Sequence, residues 1–216
     1  MKITEDIPPA PAAIGHDLLV DIALQNVEKA ALIGYVWCHL NNDKSVSLDF
    51  GRWNDRSLNP AHAKAIADSM HHGVRRYDFN TMIKIPVSLS ELRSDMLPVL
   101  SQTTTLKAED VRLTGKSTPG LLHIGEALKE SVHRVHPLSG QHRAQGVKVF
   151  SENVETQLLD ASTELNELTE ELASASGMAK LQVEKDIQQV KSRIAYLKAE
   201  KEEGSSWLVA LYNKGR

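Results

Sequence analysis

Residues 138–145, Leu-Ser-Gly-Gln-His-Arg-Ala-Gln, combine the residue types that bind an anion. The pattern predicts that a strand ends, that the chain turns at Gly140 and that a helix begins at Gln141. The first N–H groups of a helix have no partner within it, and the helix dipole makes this end positive. Arg143 adds a forked cation that matches phosphate oxygens, and His142 adds a second donor. The segment therefore favours a phosphate site; the alternative is an ordinary turn with a surface arginine.

The run Gly140-Gln141-His142-Arg143 resembles the strand–GxxR–helix signature of the ParB/sulfiredoxin superfamily, where ParB domains have Gly-Glu-Arg-Arg and sulfiredoxins Gly-Cys-His-Arg. The order upstream is also similar. A loop with Asn54 and Arg56 precedes Ala-Ile-Ala-Asp-Ser-Met-His-His-Gly at 65–73, and a strand follows over Ile83 to Val87. The resemblance covers about residues 46–150, apart from 90–120. It implies an α+β fold with a small ParB/sulfiredoxin-like core, and nucleotide binding: ParB domains bind CTP, sulfiredoxins use ATP and free-serine kinases use ADP.

The same resemblance implies a set of site residues. Gly140 would allow the close approach of phosphates, His142 and Arg143 would hold them, and Arg56 and the Gly73 turn would line the pocket. Asp49 and Asp55 flank the pocket loop and are, beside His142, the preferred candidates for acid/base chemistry or for positioning a metal ion. The predicted nucleotide-binding residues are Arg56, Gly73, Arg75, Arg76, Gly140, Gln141, His142 and Arg143; for Arg75 and Arg76, a DNA backbone contact or solvated surface charge is the alternative.

Three departures from the family pattern narrow the range of functions that the resemblance implies. Gln141 stands where sulfiredoxins have a nucleophilic cysteine, so repair of peroxiredoxin is not expected. The acidic residue of ParB domains is also missing there, and no helix-turn-helix pair follows residue 150. The function expected is nucleotide binding, with ATP, ADP or CTP as the nucleotide, with or without Mg²⁺, in an NTPase or phosphotransferase. The alternative is a DNA-associated protein, such as a nuclease, or an inactive scaffold whose coiled-coil arm binds a partner or a second copy.

The elements that must position these residues can be predicted from local patterns. Residues 1–14 read as a flexible, proline-rich lead-in, and 15–150 as the core. Within it, the segment from Asp17 to Leu24 predicts a strand, Asn26 to Leu40 a helix with a strand at Ile33–Trp37 as the alternative, and Val46 to Phe50 a short strand. Asn59 and Pro60 predict a helix that ends at Gly73.

Further along the core, the predicted elements are shorter. The segment from Met82 to Leu89 predicts a strand, and residues 90–120, rich in Ser, Thr, Gly and Pro, an irregular surface insertion. Leu121 to Val132 predicts a helix, Arg134 to Leu138 a strand, and Gln141 to about Phe150 a helix.

Residues 151–204 predict an antiparallel coiled-coil arm. Apolar residues spaced by four and three run from Val154 to Leu172 and again from Val183 to Leu197, with a Gly/Ser turn between them. The first helix is acidic and the second basic, which favours their pairing. Each helix of about 20 residues would project roughly 30 Å from the core. Residues 205–216 then predict a strand, Trp207 to Tyr212, that returns to the core.

Composition sets the remaining limits. The 216 residues carry a net charge of −3, which argues against a protein that is basic over its whole surface. The single cysteine, Cys38, indicates a reducing compartment, so an intracellular protein, cytoplasmic or nuclear and without membrane contact, is expected. The abrupt end after the last strand suggests a fragment of a longer chain. His133 and His136 would face opposite sides of a strand, so no metal site is predicted.

Overall fold

The computed structural model of the chain describes residues 26–41, 44–51, 57–71 and 76–215. The predicted lead-in over residues 1–14 and the predicted strand from Asp17 to Leu24 lie outside these ranges. Within them, helices and strands are interspersed along the chain, and the main sheet contains both parallel and antiparallel pairs. The expectation of an α+β chain is therefore confirmed at the level of fold class.

Two sheets form, and the larger one carries the core. The strands of the described residues are β1 (Leu32–His39), β2 (Ser47–Leu48), β3 (Ile83–Val87), β4 (Leu122–His123), β5 (Arg134–Val135) and β6 (Ser206–Asn213). The main sheet has the order β3, β6, β1, β4, in which β6 is antiparallel to β1 and parallel to β3, and β4 is parallel to β1. Strands β2 and β5 pair in parallel as a separate ribbon.

The two inner strands come from opposite ends of the described chain. The predicted return of the chain as a buried strand is confirmed, because β6 is buried from Ser206 to Leu211. For the segment from Asn26 to Leu40, the strand alternative is the correct one. Only residues 26–31 are helical, because Leu32–His39 pairs along its length with β6. An inner strand gains hydrogen bonds on both edges, which outweighs a modest helical preference.

Helix α1 (Pro60–Met70) begins as the sequence predicts. The Asn59 side chain accepts hydrogen bonds from the N–H groups of Ala61 (3.0 Å) and His62 (3.3 Å), and Pro60 occupies the first helical position. These contacts satisfy N–H groups that the helix itself leaves unpaired. The helix ends at Met70, and the predicted end at Gly73 lies outside the described residues.

The prediction of an irregular surface insertion at 90–120 is wrong. This stretch contains α2 (Leu97–Thr103) and α3 (Ala108–Thr114) and buries Leu92, Leu100 and Val111 in the core. The Thr103 hydroxyl accepts the N–H of Tyr35 on β1 at 2.6 Å. Single apolar residues in helices of one or two turns give no readable period in the sequence. Their burial follows instead from packing against the rest of the core.

The predicted helix from Leu121 to Val132 is also mostly wrong. Strand β4 occupies its start, and only α4 (Ile124–Ala127) is helical. The side chain of His123 accepts the N–H of Gly125, and the Glu126 carboxylate accepts the N–H of His123 at 2.7 Å. This reciprocal cap fixes the short helix against the end of β4. The strand predicted at Arg134–Leu138 shortens to β5.

Two long helices form the predicted antiparallel hairpin, α5 (Gln141–Ser174) and α6 (Gly177–Ser205). The predicted break near Phe150 is wrong, because α5 runs for 34 residues without interruption, about 50 Å. Phe150 and Val154 pack in the main core cluster together with Leu197 of α6, so that cluster extends into the predicted arm.

Opposite charges join the two helices, as predicted. Arg193 on α6 lies 3.3 Å from Glu164 on α5, and Lys201 pairs with Glu155. Such exposed pairs contribute little to stability individually and chiefly set the register. No helix of the described ranges combines the length and the apolar character needed to cross a bilayer.

Candidate functional site

The turn before α5 is shaped by Gly140. Its backbone has φ of 104° and ψ of 3°, a left-handed conformation that favours glycine. A Cβ atom at this position would lie 2.8 Å from Cγ1 of Ile83, which is too close for any side chain. The N–H of Leu138 donates to the carbonyl of Lys84 at 2.8 Å and ties the turn to β3. The helix therefore starts close against the sheet, and no other residue type fits at 140.

The start of α5 is suited to an anion. Among the described residues no side chain caps this helix, and its first turn contains no acidic residue. The N–H of Ala144 donates to the carbonyl of Gly140 at 2.9 Å, which leaves the N–H groups of the three preceding residues without an intrahelical acceptor. Together with the dipole of a 34-residue helix, these donors give a local positive potential.

Arg143 adds a full charge at this helix start. Its side chain is half-buried, and burial lowers the pKa of the guanidinium below its ordinary value. Neither a hydrogen bond nor an ion pair joins the side chain to any residue that the structure describes. A cation in the first turn opposes the helix dipole and gains nothing from it. The guanidinium is therefore a partly desolvated charge without compensation in the described ranges.

His142 is held in place by the neighbouring helix. Its Nε2 accepts the N–H of Asn59, the capping residue of α1, at 3.0 Å, and its ring meets the ring of His62 edge-on at 5.1 Å. While this bond is present, Nε2 is unprotonated and Nδ1 carries the ring proton. The ring thus links the starts of α1 and α5 and retains one N–H donor, at Nδ1.

A cavity of about 320 Å³ opens on one side of the turn, next to Gln141. Its walls are the first turns of α5 and the segment that contains β2. Lys148, two helical turns after Gln141, brings an ammonium group to the same cavity. The lining residues are Leu40, Asn41, Leu48, Phe50, Leu58, Gln141, Ala144, Gln145 and Lys148.

Asp49 is engaged in contacts around β2 and β5. Its Oδ1 accepts the N–H of Gly51 at 2.9 Å, and its Oδ2 lies 3.7 Å from Arg134 and 3.6 Å from His136. These contacts support a role for Asp49 in joining β2 to β5. Its proposed role in acid/base chemistry stays a prediction.

The other predicted site residues lie in different parts of the chain. Four of them lie together because they are consecutive in the sequence: Gly140, Gln141, His142 and Arg143. Arg76 lies elsewhere, 4.0 Å from Glu203 of α6, with its carbonyl accepting the N–H of Leu208 at 3.0 Å. Four more lie outside the described residues: Asp55, Arg56, Gly73 and Arg75.

A larger cavity, about 1040 Å³, was not predicted from the sequence. It lies between the ends of β1 and β4 and the inner part of the hairpin. The ring of His123 lies 4.5 Å from Trp37, and His39 lies 5.1 Å from it. His39 Nδ1 is also 2.9 Å from the hydroxyl of Ser205. The alternation of Trp37 and His39 on one face of a strand is the only sequence signal for this cluster.

Comparison of the chain with family models, with curated proteins and with solved structures gave no match. The resemblance to the ParB/sulfiredoxin superfamily therefore rests on the order of residues in the sequence. Function has to be argued from the geometry at Gly140–Arg143.

Proposed function

We propose that the chain binds a nucleotide through its phosphates at the turn Gly140–Arg143. The observation that carries the proposal is Arg143, a half-buried guanidinium without a partner in the described ranges, in the first turn of an uncapped helix. Phosphate oxygens would supply both the counter-charge and the acceptors that these donors lack. The order of motifs shared with nucleotide-binding ParB/sulfiredoxin-like proteins supports the same conclusion.

Each residue of the turn has a distinct part in this proposal. Gly140 allows the backbone to pass close to Ile83, so that the N–H groups at the helix start can be reached by phosphate oxygens. Arg143 forms the charge-assisted contact, and Nδ1 of His142 donates a further hydrogen bond. The cavity beside Gln141 gives room for the part of the nucleotide next to the phosphates, and Lys148 lines it.

Hydrolysis or transfer of a phosphate is the extension of this proposal. Phosphoryl transfer depends mainly on positioning and on stabilising negative charge, which a helix start with an arginine can supply. An acid/base partner is less well supported, because Asp49 is engaged with Gly51, Arg134 and His136. Turnover must therefore be assayed separately from binding, with ATP, ADP and CTP, with and without Mg²⁺.

The test is binding of nucleotides to the wild type and to Arg143→Ala. A thermal-shift screen with ATP, ADP, CTP and GTP identifies the ligand, since a site filled at 100 times its dissociation constant adds about 2.7 kcal/mol of stability. Calorimetric titration should then show affinity lowered roughly 10- to 150-fold in Arg143→Ala, as expected for a lost charge-assisted bond of about 1.5–3 kcal/mol. Arg143→Lys should recover only part, because an ammonium lacks the fork.

A matched control uses the same residue type away from the turn. Arg193→Ala removes a half-exposed arginine from α6 and should leave nucleotide affinity unchanged. Equal affinity in Arg143→Ala and the wild type would refute the phosphate role of the turn. If Arg143→Ala does not fold in the absence of ligand, Arg143 is a structural residue.

Self-association through the hairpin is a second candidate function. Met178 and Leu181, at the start of α6, are 82% and 60% exposed although both are large and apolar. Large apolar side chains that are exposed together suit contact with a second copy of the hairpin. Light scattering of the wild type and of Met178→Glu/Leu181→Glu tests this. A monomeric wild type at high concentration would refute it.

A further inference from the structure

A separate cavity of about 280 Å³ lies where α3 ends beside α6 and β6. Only Arg76 among its residues belongs to the set predicted from the sequence, and none belongs to the Gly140–Arg143 turn. The lining residues come from three separate stretches of chain: Arg76, Tyr77, Arg112, Leu113, Thr114, Gly115, Lys116, Ser117, Glu203 and Ser206. We call this the Tyr77 cavity.

Cations dominate the Tyr77 cavity. Arg76, Arg112 and Lys116 face one carboxylate within it, Glu203. The ion pairs are loose: Arg76 to Glu203 and Lys116 to Glu202 both measure 4.0 Å, and the two carboxylates are 68% and 67% exposed. Arg112 makes no ion pair with any described residue. Lys116 also lies 5.5 Å from the centre of the Trp37 ring, and Glu200 attracts Arg76 besides Glu203, so Arg112 is the least compensated of the three cations among the described residues.

Arg76 is the most buried of the three cations. Its side chain is 20% exposed, and burial lowers the pKa of the guanidinium, partly opposed by the nearby Glu203. A guanidinium that is largely removed from water, with Glu203 no closer than 4.0 Å and Glu200 as a weaker attraction, gains from a close anion. This cation points to a ligand of opposite charge.

The Tyr77 hydroxyl provides a second, independent indication. It is buried and has no hydrogen-bond partner of good geometry among the described residues, although Ser206 and the backbone of Lys116 lie near it. Burial raises the pKa of the phenol to about 12, so the group is a protonated donor at neutral pH. A buried donor without an acceptor is unfavourable, and a ligand oxygen would satisfy it.

The loop that carries Lys116 packs against Tyr77. Gly115 has φ of 58°, and a Cβ there would lie 3.0 Å from Cδ2 of Tyr77, so the loop backbone packs directly on the tyrosine ring. Thr114 donates from its hydroxyl to the carbonyl of Asp110 at 2.6 Å, and the N–H of Thr118 donates to the carbonyl of Gly115 at 3.0 Å. These contacts fix the backbone of the loop beside the Tyr77 ring.

From these observations we infer that the Tyr77 cavity binds a doubly charged phosphate group, with Arg76, Arg112 and Lys116 as its cationic contacts and the Tyr77 hydroxyl as a neutral donor. A phosphate carries enough oxygens to accept from all four groups at once, whereas a carboxylate offers two. The site is distinct from the Gly140–Arg143 turn, so each can fail without the other. The group can be free phosphate or the phosphate of a small monoester.

The test titrates inorganic phosphate and glycerol 3-phosphate into the full chain by calorimetry. Binding of both identifies the phosphate group alone as the ligand, and binding of glycerol 3-phosphate alone identifies a monoester. Arg112→Ala, at an exposed position, should weaken binding roughly 10- to 150-fold. Binding of glycerol 3-phosphate should also weaken as the pH falls through about 6, where a phosphate monoester loses its second charge.

Tyr77→Phe is the variant that best distinguishes a ligand-binding hydroxyl from a structural one. It should weaken phosphate binding roughly 3- to 10-fold while leaving the melting temperature of the unliganded chain unchanged or higher, because it removes an unsatisfied buried donor. A purely structural tyrosine hydroxyl would show the opposite pattern, with lower stability and unchanged binding, and that result would overturn the inference.

Arg143→Ala separates the two sites. Phosphate binding that is lost in Arg112→Ala and kept in Arg143→Ala supports the Tyr77 cavity, whatever the outcome for nucleotides. Phosphate binding that is lost in Arg143→Ala and kept in Arg112→Ala would refute it and leave the turn as the phosphate site. No phosphate binding by the wild type would also refute it.

Discussion

The hairpin of α5 and α6 carries one apolar pattern along its length, yet the apolar residues of α5 are buried to different extents in its two halves. In the inner half, residues 141–161 and 190–205, Phe150 and Val154 are fully buried and Leu197 is 4% exposed. In the outer half, residues 162–189, the seam residues of α5, such as Leu168, are only half-buried, whereas Val183 and Ile187 of α6 stay buried. The same spacing thus produces a core element in one half and a two-helix seam in the other.

The difference arises from what lies beside the seam. The inner half packs on α1 and on the sheet, so its apolar side chains contact three surfaces. In the outer half each helix faces only its partner and solvent, and a two-helix seam buries little area per residue. Heptad spacing therefore predicts which helices pair, but not how much each contact stabilises the chain.

The largest expected effect is at the inner half. Phe150→Ala removes a fully buried ring that contacts Gly204 and lies 4.9 Å from the ring of His71, and should lower the free energy of unfolding by about 3–5 kcal/mol. Leu168→Ala is the matched change in the outer half and should cost roughly 1–2 kcal/mol, because that side chain is half-buried. Chemical denaturation of both variants measures the difference. Equal losses would show that the halves are energetically alike.

A smaller effect is expected at Gly204 of α6, which contacts the Phe150 ring. A Cβ at position 204 would lie 2.3 Å from Cε1 of Phe150, so Gly204→Ala forces an overlap in a packed region. We expect a loss of about 1–3 kcal/mol, reduced by the better helix propensity of alanine. The double variant Gly204→Ala/Phe150→Leu should lose less than the two single losses added together. Strict additivity of the two changes would contradict direct contact.

The smallest effect on the core is expected from removing the outer half. Replacing residues 162–189 by a short Gly/Ser linker should change the core's free energy of unfolding by roughly 1 kcal/mol or less, because the seam mainly offsets its own ordering entropy. Removing residues 152–203 instead would take Val154 and Leu197 out of the core and should abolish cooperative melting. Calorimetric melting of both deletions tests this. A non-cooperative melt of the shorter deletion would place the outer half within the core.

Several elements could be predicted from the sequence because their causes are local. The cap at Asn59, the apolar run that forms β6, the heptads of the hairpin and the glycine turn before α5 each depend on residues within one or two helical turns or strand lengths. The same holds for Gly140 to Arg143, since residues that adjoin in sequence remain neighbours at any helix start. The contiguous part of the candidate site was therefore accessible from residue order alone.

Long-range packing decided the rest. Residues 90–120 became part of the core because Leu92, Leu100 and Val111 find buried positions, which their composition does not reveal. Arg76 was grouped with Gly140 by sequence order, but pairing of β3 with β6 places it beside Glu203 and the Tyr77 cavity. Capping and periodicity act over a few residues, whereas burial depends on which distant surfaces meet. The sequence alone determined the glycine turn and the helix start that we propose as a phosphate site, and only the tertiary structure assembled the second group of cations.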